Sequence, residues 1–196
     1  MESKSTLKRD KNGLTQEEFL ASYSSDKYPK PSLTADIAVF AYENNDIYLL
    51  LIKRGGHPFL DCWALPGGFA NKNEPLESTA ARELEEETGV KGLTLIPVGL
   101  FSKPGRDPRG WVVTQAYTAL VERSSIKPKA ADDAKESEWF KIIPINEKNF
   151  TLNREGLSIP IGSHNNNGED IAFDHADIIY KAYQIIQTNN LASSTV

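Results

Sequence analysis

Residues 68–90 read GFANKNEPLESTAARELEEETGV, and the second half of that run constrains the chain more tightly than any other stretch. Positions 75–88 hold no glycine and no β-branched residue except Thr79 and Thr88, and they are dense in Glu, Leu, Ala and Arg. Those are good helix formers, so the composition predicts a helix over 75–88. Gly89 ends it, because glycine takes the left-handed conformation that closes a helix. With about 100° of rotation per residue, Glu83, Glu86 and Glu87 fall within an arc of roughly 100°, so three carboxylates share one face. Like charges so close repel unless a cation joins them. Hard oxygen donors select Mg²⁺, with Mn²⁺ as the alternative, and Mg²⁺ is commonly shared between carboxylates and substrate phosphates. Arg82, one position before Glu83, is placed to pair with Glu86 and hold it for the metal. Gly67 and Gly68 precede the helix, where a missing side chain lets backbone approach a metal or a phosphate closely.

The rest of the chain has the dimensions of one ordinary domain with modest decorations: 196 residues, 39% hydrophobic and 25% charged. The expected division is an N-terminal arm with a short helix over 1–32 and the main domain over 33–196. Thr15-Gln16-Glu17-Glu18 has the spacing of a capping box, which starts the short helix and carries it to about Tyr23. Strands are expected over 34–42, 47–53, 93–102, 111–121 and 138–143, with 43–46 as a hairpin connection. A last helix follows Asp174, with Ala176, Ile179, Ala182, Tyr183 and Ile186 at helical spacing. The stretch 151–169 carries no clear pattern. Strands and helices therefore mix without strict alternation.

Charge and cysteine usage narrow the function. With 22 basic and 27 acidic residues the net charge is −5, which lacks the electrostatic footprint of a nucleic-acid binder. A polyanionic substrate must be met by local cations or metals. One cysteine, Cys62, and an opening Met-Glu-Ser-Lys-Ser without an apolar stretch point to a cytoplasmic location. The aliphatic run 47–52 is far shorter than the roughly 20 apolar residues of a membrane-spanning helix, so no membrane association is expected.

Gly68, five residues, Glu74, seven residues, then Arg82-Glu83-Leu84-Glu85-Glu86-Glu87-Thr88-Gly89-Val90 resembles the Nudix box at every defining position. Seven fixed residue types and two apolar positions arise by chance on the order of once in ten million chains of this length. The upstream Thr34-Ala35-Asp36-Ile37-Ala38-Val39-Phe40, the approach Trp63-Ala64-Leu65-Pro66-Gly67-Gly68-Phe69, Arg106-Asp107-Pro108-Arg109-Gly110-Trp111, Glu138-Trp139-Phe140 and Ala172-Phe173-Asp174-His175 extend the likeness. They resemble the branch that holds ADP-ribose pyrophosphatase-like Nudix proteins and the Nudix domain of the NrtR regulators, over roughly residues 15–187.

The resemblance implies an α/β Nudix fold, a mixed β-sheet sandwiched between α-helices. It implies a metal-dependent hydrolase of a nucleoside diphosphate joined to another moiety, with ADP-ribose cleaved to AMP and ribose 5-phosphate as the first choice. Another nucleotide, such as an oxidised nucleoside triphosphate or a nucleotide sugar, is the alternative. So is a non-catalytic domain that senses ADP-ribose. The Gly68 carbonyl joins Glu83, Glu86 and Glu87 as a metal ligand on the same basis, and Glu74 fixes the loop. NrtR-type regulators carry a DNA-binding winged helix after the Nudix domain, whereas this sequence ends at Val196, so no nucleic-acid partner is expected. A homodimer is common among similar proteins.

Around the box, Arg106 and Arg109 make the 106–110 turn cationic and suited to phosphate or ribose oxygens, with Arg54 and Gly67 as further substrate contacts. For a group that orients the attacking water, Glu136 comes first and Asp133 second, in the acidic loop before Glu138. His57 and His175 are read as surface or packing residues. Phe101 and Trp111 are read as core before stacking platforms, and Cys62 as a small buried apolar residue.

Overall fold

The computed structural model describes residues 8–129, 134–146, 148–162 and 170–193. Contacts divide the chain into two compact units, Met1–Lys30 and Pro31–Val196. In the first, α1 (Gln16–Ser22) opens with the anticipated capping box. The Glu18 N–H donates to Thr15 Oγ1 at 3.2 Å and the Thr15 N–H to Glu18 Oε2 at 2.7 Å, so two end-of-helix donors satisfy each other's side chains.

The second unit begins with β1 (Ser32–Glu43) and β2 (Asp46–Arg54), a hairpin turned by Asn44 and Asn45 with Asn44 in the left-handed region at φ 54°. Next come the short β3 (Trp63–Ala64) and β4 (Gly67–Phe69), then α2 (Leu76–Thr88). The chain continues through β5 (Ile96–Phe101), β6 (Val112–Glu122), β7 (Ala134–Asn146), β8 (Asn149–Arg154) and β9 (Leu157–Ile161) to α3 (His175–Ser193). Among the described residues these strands make one nine-stranded sheet in the order β5-β6-β1-β2-β7-β8-β9, with β3 added to β2 and β4 to β1. The β1–β6 pair is parallel and the other pairs are antiparallel, so the sheet is mixed.

Residues 34–41 of β1 are all buried, because this central strand is covered on both faces. Ala35, Ile37 and Val39 pack with Ala80 and Leu84 of α2, while the alternate Ala38 and Phe40 pack with Ile178, Ile179 and Ala182 of α3. The sheet is thus sandwiched between α2 and α3, as the resemblance implied. No helix among the described residues is long and apolar enough to cross a membrane.

Several local expectations change. The strand anticipated over 138–143 runs from Ala134 to Asn146, because Lys53 on β2 pairs in register with Glu136 and draws the polar stretch before it into the sheet. The unpatterned 151–169 contains most of a β8–β9 hairpin, whose Phe150, Leu152, Ile159 and Ile161 enter the α3-side core. Trp111 is 56% exposed rather than core, since it lies just before β6, and Phe101 is half-buried. Cys62 is likewise half-buried.

Candidate active site

Helix α2 carries the acidic cluster, and its ends are set by the backbone. Pro75 precedes it without a side-chain cap, and Gly89 closes it at φ 71° with its N–H on the Glu85 carbonyl at 2.8 Å. Burial of Ala80 and Leu84 against the sheet fixes the helix rotation and leaves Arg82, Glu83, Glu86 and Glu87 off the core face. Arg82 is the hub. Its Nη1 donates to Glu83 Oε1 at 2.6 Å and to Glu86 Oε2 at 2.8 Å. Its Nε and Nη2 grip Glu74 at 2.9 and 3.0 Å, and Nη2 also reaches the Phe69 carbonyl at 3.0 Å. Glu74 in turn accepts from the Asn71 N–H and the Thr79 hydroxyl, each at 2.9 Å, and so ties the loop to the helix. The Arg82 and Asn71 donors hold its carboxyl down at about 2.

Beside this clamp, Glu87 accepts the Gly67 N–H at 2.9 Å. Burial pushes the Glu87 carboxyl up to about 8, against the pull of that N–H, and the charges of Glu83 and Asp36 add to the rise. Burial also raises Glu83, with Arg82 opposing it. The Glu83 carboxylate fills the space that a Cβ on Gly68 would need, and a Cβ on Gly67 would strike the Ala35 carbonyl and Asp36. Both glycines are therefore required by close approach.

A cleft of about 700 Å³ lies over these groups, lined by Gly67, Gly68, Arg82, Glu83, Glu87 and the two arginines Arg54 and Arg109. Arg54 donates from Nε to the Pro58 carbonyl at 2.8 Å, and its guanidinium lies 5.0 Å from the Phe173 ring centre. Arg109 pairs with Asp107 at 2.7 Å and sits over both Phe69 and Phe173, at 4.7 and 5.3 Å.

Two expected residues stand differently, and a third, Glu86, makes the pairing with Arg82 that the sequence suggested. Arg106 is buried and bidentate to Asp174, with Nε at 2.9 Å and Nη2 at 2.6 Å, so its charge is paired inside the fold. Glu136 points its charge at Lys53, 3.2 Å away, and Arg154, 3.5 Å away, and it does not line the cleft; its neighbour Lys135 does, as strand alternation requires. Glu86 is exposed and held by Arg82. Asp133 lies outside the described residues. Among the described residues, no three His, Cys, Asp or Glu side chains converge closely enough to hold a metal ion. Here Arg82 Nη1 is the positive group that Glu83 and Glu86 share.

Residue-by-residue reading gave Asp36 and Phe173 no role. Asp36 is an acid inside an otherwise apolar run, which was the available signal, and it is 6% exposed beneath Gly67. Phe173 adopts φ 54°, rare for a bulky residue, and only the likeness of the 172–175 segment to the family marks it in the sequence. His175 is buried, as its packing role implied. Its Nδ1 accepts the Leu65 N–H at 3.0 Å, and burial lowers its pKa despite the nearby Asp36 and Asp174.

Comparisons with known proteins point the same way. The family model described as NUDIX domain matches residues 32–157. The ADPR responsive transcriptional repressor NtrR of Acinetobacter baylyi is 32% identical over 174 residues, which cover 88% of this chain and 61% of that protein's length. An ADP-ribose pyrophosphatase of Methanocaldococcus jannaschii is 36% identical over 143 residues, 73% of this chain and 70% of that protein. Among solved structures, a MutT/nudix family protein from Enterococcus faecalis superposes with a TM-score of 0.80 at 39% identity, covering 89% of this chain and 70% of that one. The NUDIX domain of Shewanella oneidensis NrtR, solved in complex with ADP ribose, gives 0.67 at 27% identity over 88% of this chain and 99% of its own.

Proposed function

The chain belongs to the NUDIX domain family, and from that premise we propose that it is a metal-dependent pyrophosphohydrolase that cleaves ADP-ribose to AMP and ribose 5-phosphate. One observation carries the reading: the acidic cluster on α2, organised by Arg82, packs against Gly67 and Gly68, and Glu83, Glu87 and both glycines line one cleft with Arg54 and Arg109. Such a cleft has arginines for a diphosphate, yet carboxylates that repel one. A divalent cation resolves that conflict: Glu83, Glu86 and Glu87 would supply the carboxylate oxygens a hard ion prefers once they turn from Arg82 and the Gly67 N–H to converge on it, and the Glu83 carboxylate already sits where a Gly68 side chain would be. The raised carboxyl of Glu87 has the same origin, a surplus of negative charge in a desolvated place. Bound there, Mg²⁺ or Mn²⁺ would neutralise the diphosphate and the charge that develops as the bond to the leaving phosphate breaks.

The chain's own residues supply position. Arg82 holds two carboxylates at fixed spacing, and the Gly67 N–H holds the third. Arg54 and Arg109, stacked on Phe173, present planar donors to phosphate or ribose oxygens from a fixed wall. The two relatives named for ADP-ribose support this substrate over a nucleoside triphosphate.

A panel of nucleoside diphosphate derivatives and triphosphates, assayed with Mg²⁺ and scored by product identity, tests the reading. ADP-ribose should give AMP and ribose 5-phosphate, and excess chelator should abolish turnover. Undiminished turnover in chelator removes the metal. Binding of ADP-ribose without turnover would make the chain a sensor instead.

A further inference from the structure

The turn from β3 into β4 delivers the two glycines of the site, and its backbone is tethered at three successive residues. The Ile37 N–H of β1 donates to the Pro66 carbonyl at 2.9 Å, and the Gly67 N–H donates to Glu87 at 2.9 Å. The remaining tether is a side chain from a distant part of the sequence. The Leu65 N–H donates to His175 Nδ1 at 3.0 Å, across 110 residues of chain. Both residues are buried, at 1% and 4% exposure.

His175 ends a short strap that holds the site together from behind. Residues 170–172 run beside β3, with the Trp63 N–H on the Asp170 carbonyl and the Ala172 N–H on the Trp63 carbonyl, each at 2.8 Å. Asp174 holds Arg106 of the 106–110 turn, and the guanidinium groups of Arg54 and Arg109 lie over the Phe173 ring. The geometry also fixes the state of the imidazole. A ring nitrogen that accepts an N–H carries no proton of its own, so the proton of the neutral ring is on Nε2. Nε2 faces Asp36 Oδ1 at 3.5 Å, long for a hydrogen bond but on the side where a carboxylate favours an N–H. Burial, helped by the charges of Arg106 and Arg54, keeps the ring below its ordinary pKa against the pull of Asp36 and Asp174.

An apolar ring would fill the same space, but only an acceptor holds the Leu65 N–H. Its position matters because of what the turn leads into. A side chain on Gly68 would collide with the Glu83 carboxylate, and one on Gly67 with the Ala35 carbonyl and Asp36. Contacts this close pass a shift at residue 65 on to the acidic cluster, whereas Arg54 and Arg109 are bonded elsewhere, to Pro58 and Asp107. Resting on the pyrophosphohydrolase reading, we propose that His175 is a positioning residue for the reaction: as the Nε2–H tautomer it holds the Leu65 backbone and thereby sets Gly67 and Gly68 against Glu87 and Glu83.

The test pairs His175→Phe, which keeps a flat ring and deletes the acceptor, with His175→Asn, whose amide oxygen can take the place of Nδ1. In the full chain with Mg²⁺ and ADP-ribose, His175→Phe should lower kcat about tenfold or more and leave KM within about twofold, because small misplacements at a reacting centre cost rate. His175→Asn should recover most of that loss even though it leaves more empty space. A packing role alone predicts the reverse order. Hydrogen exchange in chelator should show the Leu65 and Gly67 N–H groups less protected in His175→Phe and protected again in His175→Asn. Nitrogen NMR of the wild type at pH 7 should find Nδ1 without a proton, a readout that needs neither variant to fold. Wild-type kcat in His175→Phe, the reverse order of the two variants, or a protonated Nδ1 would overturn the proposal. The hydrolase reading fails separately: ADP-ribose inert in the wild type, with protection of Gly67 still dependent on the acceptor, leaves the tether standing without the reaction.

Discussion

Arg82 shows how one side chain can organise an acidic site. Five hydrogen bonds from one guanidinium reach Glu74, Glu83, Glu86 and the Phe69 carbonyl. Such a fork needs a planar group with several donors, and the single ammonium of lysine cannot span four partners. Arg82→Lys should lower kcat about tenfold or more, and it should cost about 1 to 3 kcal/mol of unfolding free energy, with the exposed Glu86 contact contributing least. Steady-state kinetics and denaturant titration measure the two effects. Glu87 gives a prediction of opposite kind. Its carboxyl is raised from an ordinary 4.5 to about 8, so between those values the folded chain binds a proton that the unfolded chain has released. The associated stability is present in full below the unfolded value and is lost as pH rises through the folded one. In chelator, the melting temperature should therefore fall from about pH 5 to about pH 8.5, and Glu87→Gln should flatten that fall.

At the scale of elements, the site depends on how closely β4 approaches α2. The Glu83 carboxylate occupies the place of a Gly68 side chain, so Gly68→Ala must push either the strand or the carboxylate away. The variant should keep its helical circular dichroism, because α2 is anchored by Ala80 and Leu84 on its other side, and yet lose most activity. A Gly68→Ala enzyme with wild-type rates would mean that this contact is incidental. The helix and its cap were legible in the sequence because both are local: residues 76–88 are helix formers and Gly89 is the stop. The last helix was legible for the same reason, and Ala176, Ile179, Ala182, Tyr183 and Ile186 are all buried. Strands β3 and β4 were not legible, since two or three residues carry no period and owe their pairing to β2 and β1. The β8–β9 hairpin left a fainter trace in Phe150-x-Leu152 and Ile159-x-Ile161. Pro160 masked it, a residue tolerated there because β9 is at the sheet edge. Of the site, the box residues could be read from spacing. The separation of Glu136 from the cleft depended on which face of β7 it occupies, and sequence alone does not set that register.

The whole molecule separates two arginines that the sequence presents as a pair. Both belong to the 106–110 turn between β5 and β6, but their partners lie in different settings. Arg106 is 8% exposed and reaches Asp174, 68 residues away and also buried, so this ion pair fastens the turn to the segment that starts α3. Arg109, with 41% of its side chain exposed, uses one edge on Asp107 and keeps its face on the aromatic wall of the cleft. Removing one partner of a buried pair strands the other charge, at a cost of about 3 to 5 kcal/mol. Arg106→Ala should therefore lower the melting temperature by many degrees, and any loss of activity should follow the loss of folded protein. Arg109→Ala should melt near the wild type. If Arg109 contacts the diphosphate or a ribose, its removal should raise KM for ADP-ribose about tenfold, the order of one charge-assisted hydrogen bond, with kcat nearly constant. An equal fall in kcat and kcat/KM would place the contact in the transition state instead. Thermal denaturation beside ADP-ribose kinetics on the two variants separates these outcomes. Arg109→Ala with unchanged KM and kcat would reduce that residue to a partner for Asp107, and Arg54 would then be the cleft's remaining candidate cation for the diphosphate.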